Sequence, residues 1–314
     1  MPREKAPASF TVPDEQGDVE VEVDGKRVRL TNLSKVYWPD DGFTKRDLLQ
    51  YYTDVSHALL PHVKNRAMVM KRYPNGINAD FFFMKRAPSP RPEWIETCTI
   101  EHRSGNVIDF PMVQDLASLL WTINLGCIDL NPWYATCDDT NRPDVLHFDL
   151  DPVPDATFAQ VCEAAIIVRD GLAGLGMKPI AKTSGSKGIH VYVPIERTLV
   201  QKDVWRFAKS FSISIAKLRP DVLTSAYKIA KRPADRVLVD YNQNAWGRTL
   251  ASVYSPRPKI GAPVSTPLEW HEVESGVEIA DFAMRNVPER LARLGDLWKP
   301  VSSKRGRFDL STLL

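Results

Sequence analysis

Residues 145–152, VLHFDLDP, form an apolar run that ends in two acidic residues, and the rest of the chain is best interpreted from this stretch. A strand places residues i and i+2 on one face, so the carboxylates of Asp149 and Asp151 point the same way. Two like charges held this close are costly unless a cation neutralises them. A hard divalent cation does so with oxygen ligands. The segment therefore predicts a strand that carries part of a metal site.

A second segment, TSGSKGIH at residues 183–190, follows about one helix later. Hydroxyl groups, backbone amides and a lysine in such a loop can hold phosphate oxygens. The candidate nucleotide-binding residues of this loop are Ser184, Gly185, Ser186 and Lys187, with Gly188 as a further amide donor. His190 lies on the strand that leaves the loop and is a candidate contact to phosphate or ribose. The segment is not a Walker A motif, because G-x-x-x-x-G-K-[ST] is absent, and a flexible loop with an incidental histidine is the alternative.

A third acid is expected on another strand, and Asp240 in the apolar segment 238–242 is the best candidate, since a carboxylate there is otherwise costly to bury. Two metal ions bridged by several carboxylates neutralise both the nucleophile and the leaving pyrophosphate. An isolated D-x-D occurs often by chance, but the loop and the third acid together favour phosphoryl or nucleotidyl transfer. Residues 217–259 also carry nine Lys or Arg against three acids, which is either a field for phosphates or a solvated basic surface.

Composition limits the class of protein. With 314 residues, 43% hydrophobic and 25% charged, the chain is an ordinary globular sequence whose net charge of +2 does not by itself imply nucleic-acid binding. No apolar run approaches the ~18 residues of a membrane span and no signal peptide is visible, so cytoplasmic residence without a membrane partner is expected. The four cysteines show no zinc spacing, and we expect reduced, buried thiols.

The alternation of helical and strand patterns predicts an α+β (mixed α/β) fold. Residues 1–18 are polar and contain proline, so we expect a flexible arm followed by one catalytic domain over 19–314. An Asp-Gly turn predicts a hairpin over 19–30. One helix is expected after Thr44 and a second from residue 115. A third is expected after an Asp155 cap, with its end near Gly176, and a fourth over residues 202–218. The expected strands are 68–73, 80–84, 145–151, 178–183, 189–194, 236–241 and 249–254.

Three consecutive phenylalanines occupy positions 81–83, beside Lys85 and Arg86. We expect one of them in the core and at least one on the opposite, exposed face of a strand. An exposed aromatic side chain beside basic residues is typical of a base-stacking platform.

A set of segments in one order resembles the polymerase module of bacterial ligase D, a branch of the archaeo-eukaryotic primase superfamily, over nearly the whole chain. The segments are LTNLSK (30–35), FTK (43–45), FFMK (82–85), RPD (142–144), FDLDP (148–152), KTSGSKGIH (182–190), VDYNQN (239–244), YS (254–255) and GAPVSTPLEW (261–270). The resemblance implies a primase-type core whose central β-sheet carries the acids between two intertwined modules.

The resemblance also implies an activity and its ligands. The expected enzyme is a two-metal DNA-directed polymerase that uses Mn²⁺ or Mg²⁺ with NTPs or dNTPs, filling gaps and extending ends in non-homologous end joining or excision repair. It assigns the catalytic metal ligands to Asp149, Asp151 and Asp240, and adds Arg257 to Ser184, Lys187 and His190 around the nucleotide. It further assigns a downstream 5′-phosphate to Asn32, Lys35 and Lys45, and template stacking to Phe82 and Phe83.

One position departs from the family pattern, and other functions remain open. The family usually has histidine where this chain has Asn131, and Asn keeps hydrogen-bonding capacity but loses proton donation near neutral pH. A non-catalytic DNA-end-binding or bridging protein and a primer-independent primase are the alternatives. Because the resemblance to the polymerase module covers nearly the whole chain, no room is left for ligase and phosphoesterase modules. We therefore expect a separate DNA ligase and an end-binding protein as partners. We expect the protein to act on DNA at the nucleoid.

Overall fold

The computed structural model describes residues 10–15, 17–102 and 104–314. The strands are β1 Val19–Val23, β2 Lys26–Leu30, β3 Val36–Trp38, β4 Phe43–Thr44, β5 Met68–Arg72, β6 Phe82–Met84, β7 Thr97–Glu101, β8 Val107–Pro111, β9 Cys127–Pro132, β10 Val145–Pro152, β11 Ile180–Thr183, β12 Ile189–Pro194, β13 Leu223–Thr224, β14 Val237–Asp240 and β15 Pro267–Leu268. The α-helices are α1 Lys45–Val63, α2 Leu116–Asn124, α3 Phe158–Gly174, α4 Gln201–Leu218, α5 Trp270–Ser275, α6 Val287–Leu294 and α7 Lys299–Ser302. Short 3₁₀ turns occupy Ile229–Lys231, Asn242–Asn244, Ile279–Asp281 and Leu310–Leu313.

A six-stranded mixed sheet with the order β13-β14-β10-β12-β11-β15 holds the predicted acidic strand near its middle. Strand β10 runs antiparallel to both β12 and β14, and only β13 pairs in parallel. Its first six residues are all buried, and helices α3 and α4 contact it. Apolar Leu146, Phe148 and Leu150 alternate with polar His147, Asp149 and Asp151 along the strand, so it presents one apolar and one polar face. The mixed sheet with its helices confirms the predicted α+β class.

The cap of α3 corrects a detail of the sequence prediction. Thr157, rather than Asp155, is the N-cap, and it forms a capping box with Gln160. Asp155 instead adopts a positive φ of 73° in the preceding turn. At the other end Gly176, with φ 83°, follows the last turn as predicted, and its amide donates to the carbonyl of Ala173.

The N-terminal part of the fold surrounds α1. Strands β1 and β2 form the predicted hairpin, and a three-stranded sheet has the order β6-β5-β9. Most of the predicted flexible arm lies outside the described residues, but its described part is docked on α1. Val12 is fully buried, its amide donates to Gln50, and Arg46 donates to the carbonyls of Val12 and Pro13.

Two further predictions were wrong. Residues 249–254 are an irregular segment, because the Ser252 amide donates to Leu130 of β9 and the Tyr254 amide to Ser265, which leaves no continuous ladder. Cys98 and Cys137 form a disulfide, whereas Cys127 and Cys162 are free and buried. Pairing depends on β7 and the loop after β9 meeting in space, which the cysteine spacing does not reveal.

One large hydrophobic core extends from Val12 to Leu310 and includes both faces around the six-stranded sheet. A smaller cluster around Phe110 and Trp133 lies under the β7–β8 hairpin. In the part of the chain that the structure describes, no helix is both long and apolar enough to cross a membrane.

Candidate active site

The three predicted acids meet at the end of β10. Asp149 lies directly opposite Asp240 on β14 and opposite His190 on β12. Residues facing each other in this way have Cβ atoms about 5 Å apart, and Asp151 follows on the same face of the strand. Asp149 is buried, whereas Asp151 and Asp240 are partly exposed. The sheet therefore brings the acids together from two adjacent strands.

Burial and mutual repulsion shift the titration of these acids. Burial, and then the charge of Asp240, raise the pKa of Asp149 to about 7. The charge of Asp149, followed by burial and the charge of Asp240, raises the pKa of Asp151 to about 7. Asp149 Oδ1 is buried without a hydrogen bond, since His190 Nε2 at 3.2 Å is too poorly aligned to make one. The pocket thus holds negative charge that the protein alone compensates incompletely.

The metal-ligand assignment stays a prediction. Among the residues that the structure describes, no three Asp, Glu, His or Cys side chains are grouped closely enough to hold a metal ion. Asp240 turns toward its own 3₁₀ turn, where Oδ1 accepts from the amide of Asn242 at 2.8 Å and Oδ2 from Gln243 Nε2 at 3.2 Å. A cation held by all three acids would require Asp240 to reorient.

The glycine- and serine-containing loop between β11 and β12 is organised by one hydroxyl group. Ser184 Oγ accepts from the amides of Ser186, Lys187 and Gly188 at 3.0–3.2 Å. The amide of Gly188, which the sequence suggested as a phosphate donor, is therefore occupied within the loop. A Cβ at Gly188 would collide with the carbonyl oxygen of Leu150, so glycine allows the loop to pass against β10.

Arg257 closes the other side of the loop. Its Nη1 donates to the Ser184 carbonyl at 2.7 Å, and its Nε lies 3.3 Å from Asp129 Oδ2. Gly185 has a φ of 64°, and a Cβ there would lie 2.7 Å from Arg257 Cγ. Asp129 is buried, and burial raises its pKa against the opposing charges of Arg257 and Lys71.

Sequence reasoning missed Asp129 and its cross-strand neighbour Lys71. The signal was present, because Asp129 is an acid in the apolar segment 127–132, the same pattern that pointed to Asp240. The Nδ2 of Asn131, where the family usually has histidine, donates to the Asp129 carbonyl at 3.0 Å. Both residues of β9 thus belong to the site.

A cavity of about 260 Å³ joins these groups. Its lining residues are Lys71, Phe83, Asp129, Asn131, Asp149, Asp151, Ser184, Ser186, His190, Thr249, Leu250, Ala251 and Arg257. Asp240, Gly185 and Lys187 do not line it, so the structure brings together only part of the predicted site. Acids that share the lining with cationic and hydrogen-bonding groups suit a ligand that carries both a cation and phosphates.

The phenylalanine segment differs from its prediction in one respect. Phe81, Phe82 and Phe83 are 49%, 46% and 58% exposed, so none of them belongs to the core. Phe83 lines the cavity and pairs in register with Lys71 on β5. The Arg72 guanidinium lies 5.1 Å from the Phe82 ring. Two aromatic faces therefore remain available beside the pocket.

The predicted 5′-phosphate residues form a separate cluster, with Asn32 and Lys35 in the turn between β2 and β3 and Lys45 at the start of α1. Asn32 has φ 55°, the Lys35 amide donates to its carbonyl, and the Lys45 amide donates to the Lys35 carbonyl. Lys45 Nζ donates to the carbonyl of Thr31 at 2.6 Å and is almost fully buried. Burial, with repulsion from Lys35, lowers the pKa of Lys45 to about 8. The structure thus brings these three residues together.

Paired carboxylates opposite an anion-binding loop are features of metal-dependent nucleotidyl-transfer enzymes as a class. The profile of the LigD primase-polymerase domain matches residues 44–298, and the chain belongs to this family. The resemblance noted in the sequence is thereby confirmed.

Similar proteins are bacterial. The multifunctional non-homologous end joining protein LigD of Mycolicibacterium smegmatis is 31% identical over 280 residues, which cover 88% of this chain and 36% of that protein. LigD of Mycobacterium tuberculosis H37Rv is 32% identical over 297 residues, covering 90% and 39% respectively. The chain thus spans about two fifths of the length of these curated relatives.

A solved structure described as the polymerase domain from Mycobacterium tuberculosis Ligase D in complex with DNA has the same fold. It superposes with a TM-score of 0.83 at 30% identity, and the match covers 88% of this chain and 99% of that one. The similarity confirms the predicted core architecture. It leaves the division of residues 19–314 into two intertwined modules as a prediction.

Proposed function

We propose that this chain is a DNA-directed nucleotidyltransferase that fills short gaps and extends ends during the repair of DNA breaks. The observation that carries the proposal is the cavity on the central sheet, where Asp149 and Asp151 with raised pKa values lie across from Ser184, His190 and Arg257. Nucleotidyl transfer requires this juxtaposition of acids for cations and donors for a triphosphate.

The acids suit divalent ions by their donor chemistry. Asp149 and Asp151, joined by Asp240, would hold Mn²⁺ or Mg²⁺, which when bound neutralise charge on the attacking 3′-hydroxyl and on the leaving pyrophosphate. The buried, unpartnered Oδ1 of Asp149 is the atom that most needs such compensation. Asp240 would exchange its contacts with Asn242 and Gln243 for this role.

The opposite side of the cavity would bind and orient the triphosphate of an NTP or dNTP. Arg257 is held by Asp129 and by the Ser184 carbonyl, so its guanidinium enters the site pre-oriented. His190 lines the cavity, and Lys187 adds positive charge at its edge. Ser184 keeps the loop in shape through its three amide contacts.

DNA would occupy the neighbouring surfaces. The exposed rings of Phe82 and Phe83 support stacking on template bases. The Asn32, Lys35 and Lys45 cluster supports binding of a downstream 5′-phosphate, because two lysines and an amide side chain come from backbone segments that are hydrogen-bonded to each other. The solved relative is described as being in complex with DNA, which supports DNA as the ligand. A DNA ligase and an end-binding protein are proposed partners.

Primer extension on a gapped duplex with Mn²⁺ tests the proposal. We expect the wild type to add nucleotides, Asp240→Ala to add none, and Glu196→Gln, an exposed acid elsewhere, to behave as wild type. A wild type that binds DNA ends yet adds no nucleotide would establish the end-binding alternative. Synthesis on an unprimed single strand would establish priming, and parallel reactions with NTPs and dNTPs define the sugar preference.

A further inference from the structure

A lysine behind the cavity is fully buried, although it is not one of the residues predicted to bind a metal ion or a nucleotide. Lys182 on β11 is 1% exposed. Its Nζ lies 2.6 Å from Ser265 Oγ, 3.0 Å from the Ala251 carbonyl oxygen and 2.8 Å from His190 Nδ1. Burying a cation costs free energy unless its donors are satisfied. Lys182 meets this condition through contacts that include His190, a predicted nucleotide-binding residue, so its role is sought there.

The hydrogens around Lys182 can be counted. Ser265 Oγ donates its own hydrogen to the Thr183 carbonyl at 2.8 Å, so it accepts from Lys182. The carbonyl of Ala251 can only accept. An ammonium group has three donors and no acceptor, and with two donors used on oxygen the third meets His190 Nδ1. That nitrogen must then be the unprotonated one, and the ring hydrogen resides on Nε2.

The neighbouring carboxylate favours the same tautomer. His190 Nε2 lies 3.2 Å from Asp149 Oδ1, a buried oxygen that accepts no hydrogen bond from another group. Burial lowers the pKa of Lys182, and a neutral amine would reverse the pattern, placing hydrogen on Nδ1 and a lone pair of Nε2 against the carboxylate. The contact to Asp149 is too bent for a hydrogen bond, which leaves the Nε2 hydrogen available to the cavity.

We propose that Lys182 is a positioning residue that fixes the tautomer of His190, so that Nε2–H is presented to the cavity as a donor for a bound triphosphate. The triphosphate part of this inference rests on the proposed nucleotidyl transfer. The tautomer part does not, since it depends on the contact of Lys182 with His190 and on its oxygen acceptors, of which the Ala251 carbonyl remains when Ser265 is replaced.

Nitrogen NMR of the ¹⁵N-labelled protein, without nucleotide or DNA, tests the tautomer directly. His190→Gln identifies the His190 signals among the six histidines. We expect wild type to show one protonated ring nitrogen at Nε2. A wild-type ring protonated at Nδ1 overturns the proposal, and this holds whether or not any variant folds or the protein polymerises nucleotides.

Two variants separate positioning from general packing. Lys182→Met keeps the length of the side chain but removes its donors, and we expect the single tautomer to give way to a mixture. Ser265→Ala removes a different partner of Lys182 at the same buried place, and we expect the Nε2–H tautomer to persist. A tautomer that changes in Ser265→Ala but not in Lys182→Met overturns the assignment to Lys182.

Binding of a non-hydrolysable ribonucleoside triphosphate with Mn²⁺ tests the second half. Loss of one charge-assisted hydrogen bond predicts about tenfold to hundredfold weaker binding in Lys182→Met, with Ser265→Ala within about threefold of wild type. In steady-state extension the loss should appear mainly in KM for the nucleotide. A single Nε2–H tautomer together with unchanged affinity in Lys182→Met would overturn the triphosphate role alone.

Discussion

Two regions of this molecule are proposed to bind phosphate, and their charged groups are held in different ways. The cavity on the six-stranded sheet buries acids and cations together, and its acid Asp149 keeps an oxygen without a hydrogen bond. The Asn32, Lys35 and Lys45 cluster lies where the turn between β2 and β3 meets the start of α1, and the backbone contacts of Asn32 and Lys35 arrange the group. In the first region a buried acid has an oxygen without a hydrogen-bonding partner, whereas in the second the buried Lys45 donates to the Thr31 carbonyl.

This difference distinguishes the proposed catalytic role of the cavity from the proposed role of the Asn32, Lys35 and Lys45 cluster in recognising DNA. A site whose charges are compensated only by its ligands responds steeply to those ligands, because both the cation and the triphosphate relieve an existing cost. A cluster in which Lys45 already donates to the Thr31 carbonyl adds affinity without being required for the reaction. Variants in the two regions should therefore fail in different ways.

The largest effect is expected at Asp149. Asp149→Asn removes the charge at the centre of the acidic group, so nucleotide addition with Mn²⁺ should fall on the order of a thousandfold, measured as single-turnover extension on gapped DNA. Binding to the same DNA should change little, because Asp149 is buried below the surface. Equal losses of binding and of extension would contradict the separation between the two regions.

A smaller and more selective effect is expected at Lys45. Lys45→Met should reduce the preference for a 5′-phosphorylated gap over an unphosphorylated one by about tenfold to hundredfold, as expected for one lost charge-assisted contact. Simple primer extension should remain within about twofold of wild type. Lys217→Ala, an exposed lysine at the end of α4, is the control. A parallel loss on both substrates would show that Lys45 serves the cavity instead.

A smaller effect is expected at the aromatic side chains of β6. Phe82→Ala and Phe83→Ala should each weaken extension on a templating single strand by about tenfold, the loss of one base–aromatic contact. Their stability should be unchanged, since both rings are about half exposed. Phe81→Ala is the control of the same type and similar exposure. Equal effects at all three positions would indicate general surface disruption.

Much of this arrangement was predictable from local sequence. The β10 strand and its two acids follow from an apolar run and a two-residue period, and the hairpin before Leu30 follows from its Asp-Gly turn. The cap of α3 was also readable, because Thr157 and Gln160 have the spacing of a capping box. Assigning Asp155 overlooked that signal.

The rest depended on contacts between distant parts of the chain. Lys182 meets Ala251 and Ser265, which lie 69 and 83 residues away, and no periodicity indicates such partners. The Cys98–Cys137 pair and the burial of Val12 likewise depend on contacts between residues far apart in sequence. Val12 is buried because the segment before β1 packs on α1, where its amide donates to Gln50. Local patterns predicted the elements, whereas the long-range pairing determined which side chains share the cavity.

The smallest effect concerns stability rather than rate. Because the folded protein raises the pKa of both Asp149 and Asp151 to about 7, it binds more protons than the unfolded chain between about pH 4 and pH 7. Its stability should therefore fall as the pH rises through this window and level off above it.

Between pH 5.5 and pH 7.5 the Tm of metal-free protein should drop by about a few degrees more in wild type than in Asp149→Asn. Saturating Mn²⁺ should remove that difference, since a cation that binds only the folded state restores what repulsion costs. An identical pH dependence in both proteins would mean that the acids of the cavity are already compensated, and the contrast with the Lys45 cluster would then be lost.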